Sequence, residues 1–246
     1  MGNPTARQIF QLIDLTTLNA TDSPKDVKAL VDFALEQSQR GFSVAAICVH
    51  SNFAALLSEY MVNGTIKKAV VAGAFPHGQA LIEVKNREIQ LAVQSGVDEI
   101  DIVINRGMLL ANELETLTEE LLKMRTAAGS ATLKTIIESG ELPTTEHIKT
   151  ASKIALNCGA DFLKTSTGKS TIGATPDAVR AMCEEIWEFY KSTGEKRGIK
   201  VSGGVKCYQD AVKYYNIVGE ILGKEWLNKD LFRIGASGLA KELLSL

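Results

Sequence analysis

Long apolar runs, a strong net charge, paired cysteines and glycine- or proline-rich linkers are all missing from this chain of 246 residues, and each absence removes a class of function. No stretch approaches the roughly 18 consecutive apolar residues that cross a bilayer. No apolar segment of the secretory type opens the sequence, so the cysteines are expected to be reduced thiols in the cytoplasm. Cys48, Cys158, Cys183 and Cys207 form no C-x-x-C pair, and His50, His77 and His147 lack metal-ligand spacing, which argues against a zinc site. Lys and Arg number 27 against 29 Asp and Glu, and a net charge of −2 leaves no footprint for nucleic acid or an anionic membrane. Without a low-complexity tract or a linker, a second domain has no place to begin, and one domain over residues 1–246 is expected.

What the chain does have is alternation. Short β-type runs at 13–16, 44–49, 68–74, 99–104, 132–138, 162–167, 198–202 and 231–236 alternate with helical stretches that carry polar faces, the pattern of parallel βα units. Ser23-Pro24 and Thr175-Pro176 each join an N-cap to a proline at the first helical position, and Gly96, Gly159 and Gly194 stand where helices end. Eight units of roughly thirty residues predict an α/β fold, a closed (β/α)8 TIM barrel with a short extra N-terminal helix. An open doubly wound sheet uses the same alternation, but no G-x-G-x-x-G follows the first run. Trp187 and Trp226 lie among helix-forming residues and are expected at packing or surface positions.

Lys164 and Lys200 sit inside two of the β-type runs among apolar neighbours. A lysine is seldom buried without a partner, so an inward-facing one points to chemistry. In the fourth run Ile100, Ile102 and Ile104 share the face that packs under helices, which turns Glu99, Asp101 and Val103 inward. The same alternation turns Lys134, Glu138, Lys164 and Lys200 inward. With Asp14 added, the expected cluster sets Lys134, Lys164 and Lys200 against Asp14, Asp101 and Glu138, neutral in sum. A structural ion network is the plain alternative, but buried ionic clusters cost desolvation and seldom add stability.

Two adjacent lysines suit imine chemistry. A lysine of pKa about 10.4 is a free amine in only about one molecule in several thousand at pH 7, and lowering that pKa by about three units is worth roughly 4 kcal/mol. A second ammonium about 4 Å away, at an effective dielectric near 20, supplies about that much, and desolvation adds to it. Lys164 is therefore the expected nucleophile, Lys200 the neighbour that depresses its pKa, and Asp101 the group that exchanges protons. The loops after the last three runs carry Gly168-Lys169, Gly203-Gly204 and Gly235-Ala236-Ser237-Gly238, bare amides of the kind that hold phosphate in barrels. Tight βα turns are the other reading of these glycines. Gly168-Lys169-Ser170 matches the end of a Walker A loop, but Leu163 stands where its first glycine belongs, so nucleotide binding is not expected.

Several motifs, in order, carry a resemblance over nearly the whole chain. They are Asp14-Leu15-Thr16-Thr17-Leu18, Ala46-Ile47-Cys48, Phe75-Pro76-His77-Gly78, Asp98-Glu99-Ile100-Asp101 and Lys134 to Glu138. To these are added Lys164 to Lys169, Lys200 with Gly203-Gly204, and Gly235-Ala236-Ser237. In these motifs the sequence resembles the 2-deoxyribose-5-phosphate aldolases, class I aldolases of the barrel fold. The resemblance implies reversible cleavage of 2-deoxy-D-ribose 5-phosphate to glyceraldehyde 3-phosphate and acetaldehyde, a step of deoxyribose phosphate catabolism needing no metal or organic cofactor. It implies a Schiff base on Lys164, tuning by Lys200 and proton transfer by Asp101. It also implies a phosphate site on Gly168, Lys169, Gly204 and Ser237, with Asp14, Cys48, Lys134, Thr167, Gly203 and Gly238 completing the substrate site. A buried, small apolar cysteine is the other reading of Cys48.

Some positions depart from that family's pattern. Lys206 stands where an arginine often follows the double glycine, turning a bidentate grip into a point-charge contact. Gly238 replaces a second serine, Val201-Ser202 replaces a Pro-Ala pair, and the last residues lack the tyrosine with which some relatives end. The partners expected are small phosphosugars and aldehydes, not nucleic acid or membrane. The oligomeric state is left open, with a homodimer compatible. Another Schiff-base aldolase or transaldolase, a phosphosugar isomerase or decarboxylase, and a non-catalytic phosphosugar-binding barrel remain as alternatives.

Overall fold

The eight β-type runs become eight parallel strands in a computed structural model that describes residues 2–62 and 64–246. They are β1 (Ile13–Thr16), β2 (Ala46–His50), β3 (Lys67–Ala72), β4 (Glu99–Val103), β5 (Thr132–Ile136), β6 (Phe162–Lys164), β7 (Gly198–Ser202) and β8 (Phe232–Ala236). Each pairs with the next and β8 closes on β1, so the architecture is the (β/α)8 barrel that the alternation predicts. Among the described residues the helices are α1 (Ala6–Phe10), α2 (Pro24–Gln39), α3 (Ala54–Tyr60), α4 (Ile82–Gln94), α5 (Arg106–Leu110), α6 (Leu114–Ala128), α7 (Thr145–Asn157), α8 (Pro176–Thr193), α9 (Tyr208–Ile221) and α10 (Leu239–Leu243). α1 is the expected extra helix before the first strand. None of them is long and apolar enough to cross a membrane.

The period of two sorts the strand residues into two interiors. Ile47, Val70, Ile100, Ile102, Leu133, Leu163, Ile199 and Ile234 join the helices in one continuous core. Burying side chains of this kind stabilises by about 1.5–3 kcal/mol each. Ala46, Cys48, Ala69 and Val71 form a second, smaller cluster with Leu18. The helix boundaries follow the local chemistry. Asp26 accepts from the Ser23 amide at 2.9 Å at the start of α2, and Thr175 Oγ1 accepts from the Ala178 amide at 3.2 Å at the start of α8. α8 ends at Gly194 in the left-handed conformation, φ 75°. Trp226 is buried, donates to the Arg197 carbonyl at 2.9 Å and packs edge-on against Trp187 and Tyr190.

Three strands stop two or more residues before the expected runs do. β3 stops at Ala72 because Gly73 and Ala74 turn left-handed, φ 72° and 63°. β5 stops at Ile136, and Glu138 two residues later is left-handed as well, φ 53°. β6 ends at Lys164, and beyond Thr165 a side-chain hydroxyl takes over the pairing with β7. Thr165 Oγ1 donates to the Ser202 carbonyl and accepts from the Ser202 amide, both at 3.0 Å.

Candidate active site

Register decides which charges meet. Lys164 on β6 lies directly opposite Lys200 on β7, and Asp101 on β4 lies opposite Lys134 on β5. Asp101 Oδ2 accepts from both Lys164 Nζ, at 2.7 Å, and Lys200 Nζ, at 2.8 Å, while its Oδ1 accepts from Lys134 Nζ at 3.0 Å. Lys200 also reaches Asp14 Oδ2 at 2.5 Å. Beyond these, Lys134 donates to Glu99 at 2.5 Å, and Arg233 on β8 bridges Asp14 at 2.7 Å and Glu99 at 2.8 Å. All seven side chains are buried.

Two members of this network differ from the expected cluster. Glu99 and Arg233 belong to it, although only their strand parity marks them in the sequence: Phe232 and Ile234 flank Arg233 and pack in the outer core. Glu138 does not belong to it. The left-handed backbone after β5 breaks the strand alternation, and its carboxylate bonds instead to Thr167 and Ser170. The cluster therefore sets four cations, Lys134, Lys164, Lys200 and Arg233, against three carboxylates, Asp14, Glu99 and Asp101. It is balanced when one lysine is neutral.

The lysine held least firmly in its charged form is Lys164. Lys134 has three carboxylate partners, Asp14, Glu99 and Asp101, and Lys200 has two, Asp14 and Asp101. Lys164 has Asp101 only, among the described residues. Burial lowers the pKa of Lys164 most; Asp101 opposes that shift, the Lys200 charge reinforces it, and the net shift is downward. Burial disfavours the charge on Lys200 too, but Asp101 and Asp14 outweigh it and raise its pKa. Lys134 is raised in the same way. Burial comes first and the neighbouring ammonium second, which reverses the order expected from the sequence. Asp14 and Asp101 stay ionised despite burial because the surrounding cations hold their pKa values below the usual carboxylate range.

Above this network opens a cavity of about 640 Å³ at the C-terminal ends of the strands, where barrels carry their active sites. Lys164 and Lys200 lie on its wall with Thr167, Gly168, Lys169, Gly203, Gly204, Ser237 and Gly238. Gly168 and Gly204 are left-handed, φ 76° and 90°, and a side chain there would project into open space. Both properties suit amides presented to an anion, and Lys169 and Lys206 bring positive charge to the same wall. Thr16 at the end of β1 and Thr17, Leu18 and Asn19 from the loop after it complete the wall; the sequence does not single them out as binding residues. Asp14, Lys134 and Asp101 lie beneath, buried. Cys48 is also buried rather than on the wall, and burial pushes its thiol up to about 11. His77 is exposed in the loop after β3, off the cavity wall. The carboxylates are engaged by ammonium and guanidinium groups, and among the described residues no His, Cys, Asp and Glu grouping is placed to hold a metal ion.

Comparison with known proteins agrees with this geometry. A model of the DeoC/LacD family of aldolases matches residues 8–237. The deoxyribose-phosphate aldolases of Homo sapiens and Mus musculus are each 39% identical to the chain over 244 residues, covering 94% of it and 77% of each relative. Among solved structures, the deoxyribose phosphate aldolase of Aeropyrum pernix, described as a tetramer, is similar with a TM-score of 0.76 at 28% identity. That match covers 98% of this chain and 91% of the other.

Proposed function

The chain belongs to the DeoC/LacD family of aldolases, and on that premise we propose that it reversibly cleaves 2-deoxy-D-ribose 5-phosphate to D-glyceraldehyde 3-phosphate and acetaldehyde through an imine on Lys164. One observation carries this: among the four cations of the buried cluster, Lys164 is the one with a single carboxylate partner and a lowered pKa, and it borders the cavity. The neutral amine adds to the aldehyde carbon of the open-chain sugar, and the carbinolamine loses water to give an iminium ion that acts as an electron sink. A base removes the proton of the C3 hydroxyl, the C2–C3 bond breaks, and glyceraldehyde 3-phosphate departs. The bonding pair stays behind as an enamine on Lys164. Protonation at C2 and hydrolysis then release acetaldehyde and restore the amine.

We assign proton exchange to Asp101 together with Lys200, whose raised pKa keeps it a charged donor beside the imine nitrogen. The phosphate is assigned to Thr167, Gly168, Lys169, Gly203, Gly204, Ser237 and Gly238, with Asp14, Cys48 and Lys134 supporting the site from below. These steps call for no metal or organic cofactor. The proposal extends to one barrel domain over residues 1–246, working in the cytoplasm with reduced thiols, and to a homodimer. Sedimentation distinguishes that dimer from a tetramer like the Aeropyrum pernix relative's.

Borohydride trapping tests the mechanism. Acetaldehyde and sodium borohydride should leave one ethyl group on Lys164 and abolish turnover, while a coupled assay should detect acetaldehyde released from 2-deoxyribose 5-phosphate. An ethyl group on Lys200 would exchange the two roles. No trapping at all would remove the imine.

A further inference from the structure

Of the six charged residues expected in the cluster, Glu138 is the one that the lysine network leaves unused. It is 1% exposed, with no cationic partner among the described residues, and its backbone is held left-handed at φ 53°, ψ 56°, a conformation that disfavours side-chain-bearing residues. A buried carboxylate is costly unless donors satisfy it, and every donor here comes from one loop, the segment that leaves Lys164 and enters α8. Its oxygens accept from the Thr167 amide at 3.2 Å, from Thr167 Oγ1 at 2.5 Å and from Ser170 Oγ at 2.9 Å. Thr167 Oγ1 in turn accepts from the Lys169 amide at 3.0 Å. Glu138 therefore sets the path of Thr167, Gly168 and Lys169, three successive residues of the cavity wall.

The far side of the same loop is held by backbone contact. Ala174 N donates to the Gly203 carbonyl at 3.1 Å, and a Cβ on Gly173 would lie 2.3 Å from that oxygen. A Cβ on Gly140, just after Glu138, would lie 2.1 Å from the Ile172 carbonyl. The loop is thus pinned at its end to the segments after β5 and β7, and at its start by one carboxylate. Because buried donors occupy that carboxylate, it stiffens the loop without presenting a bare anion to the cavity.

We propose that Glu138 is a positioning residue which, acting through Thr167, shapes the loop that receives the substrate's phosphate and so sets the preference for the phosphorylated sugar over the same sugar without phosphate. This rests on the aldolase function proposed above. The test is steady-state kinetics of wild type, Glu138→Ala, Glu138→Gln and Thr167→Val on 2-deoxyribose 5-phosphate and on 2-deoxyribose, with thermal unfolding of each variant.

Glu138→Ala should raise KM for the phosphate ester by about tenfold or more, with kcat and the kcat/KM for 2-deoxyribose held within about threefold. Glu138→Gln, whose carbonyl still accepts from Thr167, should fall between Ala and wild type. Thr167→Val should raise KM for the ester in the same direction. Equal losses on both sugars, a fall in kcat at constant KM, or a Gln variant no better than Ala would each overturn the assignment. If the Ala variant does not fold, the Gln and Val variants carry the same comparison. Failure of wild type to turn over either sugar would count against the aldolase function instead. Inorganic phosphate binding by calorimetry would then decide the role of Glu138, which requires about tenfold weaker binding in the variant.

Discussion

On β2 and β3 the barrel interior is lined by Ala46, Cys48, Ala69 and Val71, whereas β4 to β8 line it with Glu99, Asp101, Lys134, Lys164, Lys200 and Arg233. Both walls are built on the same strand period and both are buried, yet one is dry packing and the other a network of charges. Within the charged wall the contrast repeats on a smaller scale. Lys134, Lys164 and Lys200 all lose water, but the first and last keep a raised pKa while Lys164 is lowered. Burial is common to all three, so it does not choose among them. The number of carboxylates each one meets does, and Lys164 meets the fewest.

That account fails most visibly if Lys200 is made apolar. In Lys200→Met the like charge beside Lys164 is gone, and Asp101 Oδ2, which Lys200 shared, is left to hold a proton on Lys164. The acid limb of the kcat profile should move to higher pH, and turnover at pH 7 should fall by about 10²- to 10³-fold. An unmoved acid limb with reduced kcat would mean that Lys200 serves as a proton donor only and that burial sets the Lys164 pKa unaided.

The charged wall is legible in the sequence where a strand is regular, and illegible where it stops. Asp101, Lys134, Lys164 and Lys200 stand out because an ionisable residue whose strand neighbours pack under the helices has to face inward. Arg233 obeys the same rule, flanked by Phe232 and Ile234, but a single arginine near the end of the chain reads as surface until Asp14 and Glu99 are seen to meet it. Glu138 is misread because alternation is extended past Ile136, where the backbone has already turned left-handed. The closed barrel follows from the repeat of βα units. The balance of burial against neighbouring charge on Lys164 depends on how many oxygens converge in space, which no spacing encodes.

A smaller effect separates the carboxylates from the lysines. The folded-state pKa values of Asp14 and Asp101 lie below the usual carboxylate value of 3.8. Their contribution to stability is therefore fully present above the unfolded value and lost as pH falls through the folded one, a window below about pH 4. The raised pKa values of Lys134 and Lys200 give a contribution present below about pH 10.4 and lost only as pH rises beyond it. Lys164, being lowered, works in the opposite sense. Asp14→Asn should lose about 3 kcal/mol at pH 7, because Lys200 and Arg233 keep their charges with one acceptor gone, and should show a shallower decline in acid than wild type. Urea unfolding at pH 7 and pH 3 measures both. Parallel acid slopes would mean that Asp14 is not held ionised by its neighbours.

The apolar wall gives the smallest change, and it is the control for the rest. Cys48 packs with Leu18, Ala46, Ala69 and Val71 and is fully buried, and its thiol is pushed up to about 11. A thiol so protonated and so enclosed reacts slowly. At pH 8, iodoacetamide should reach Cys207, which is partly exposed, well before Cys48, Cys158 or Cys183. Cys48→Ala should cost about 1 kcal/mol of stability for the atoms removed and leave turnover within about threefold. Peptide mapping of the alkylated protein reads the order of labelling. Labelling of Cys48 as fast as Cys207 would mean that water enters this side of the barrel, and the dry half of the interior would no longer differ from the charged half in the way that isolates Lys164.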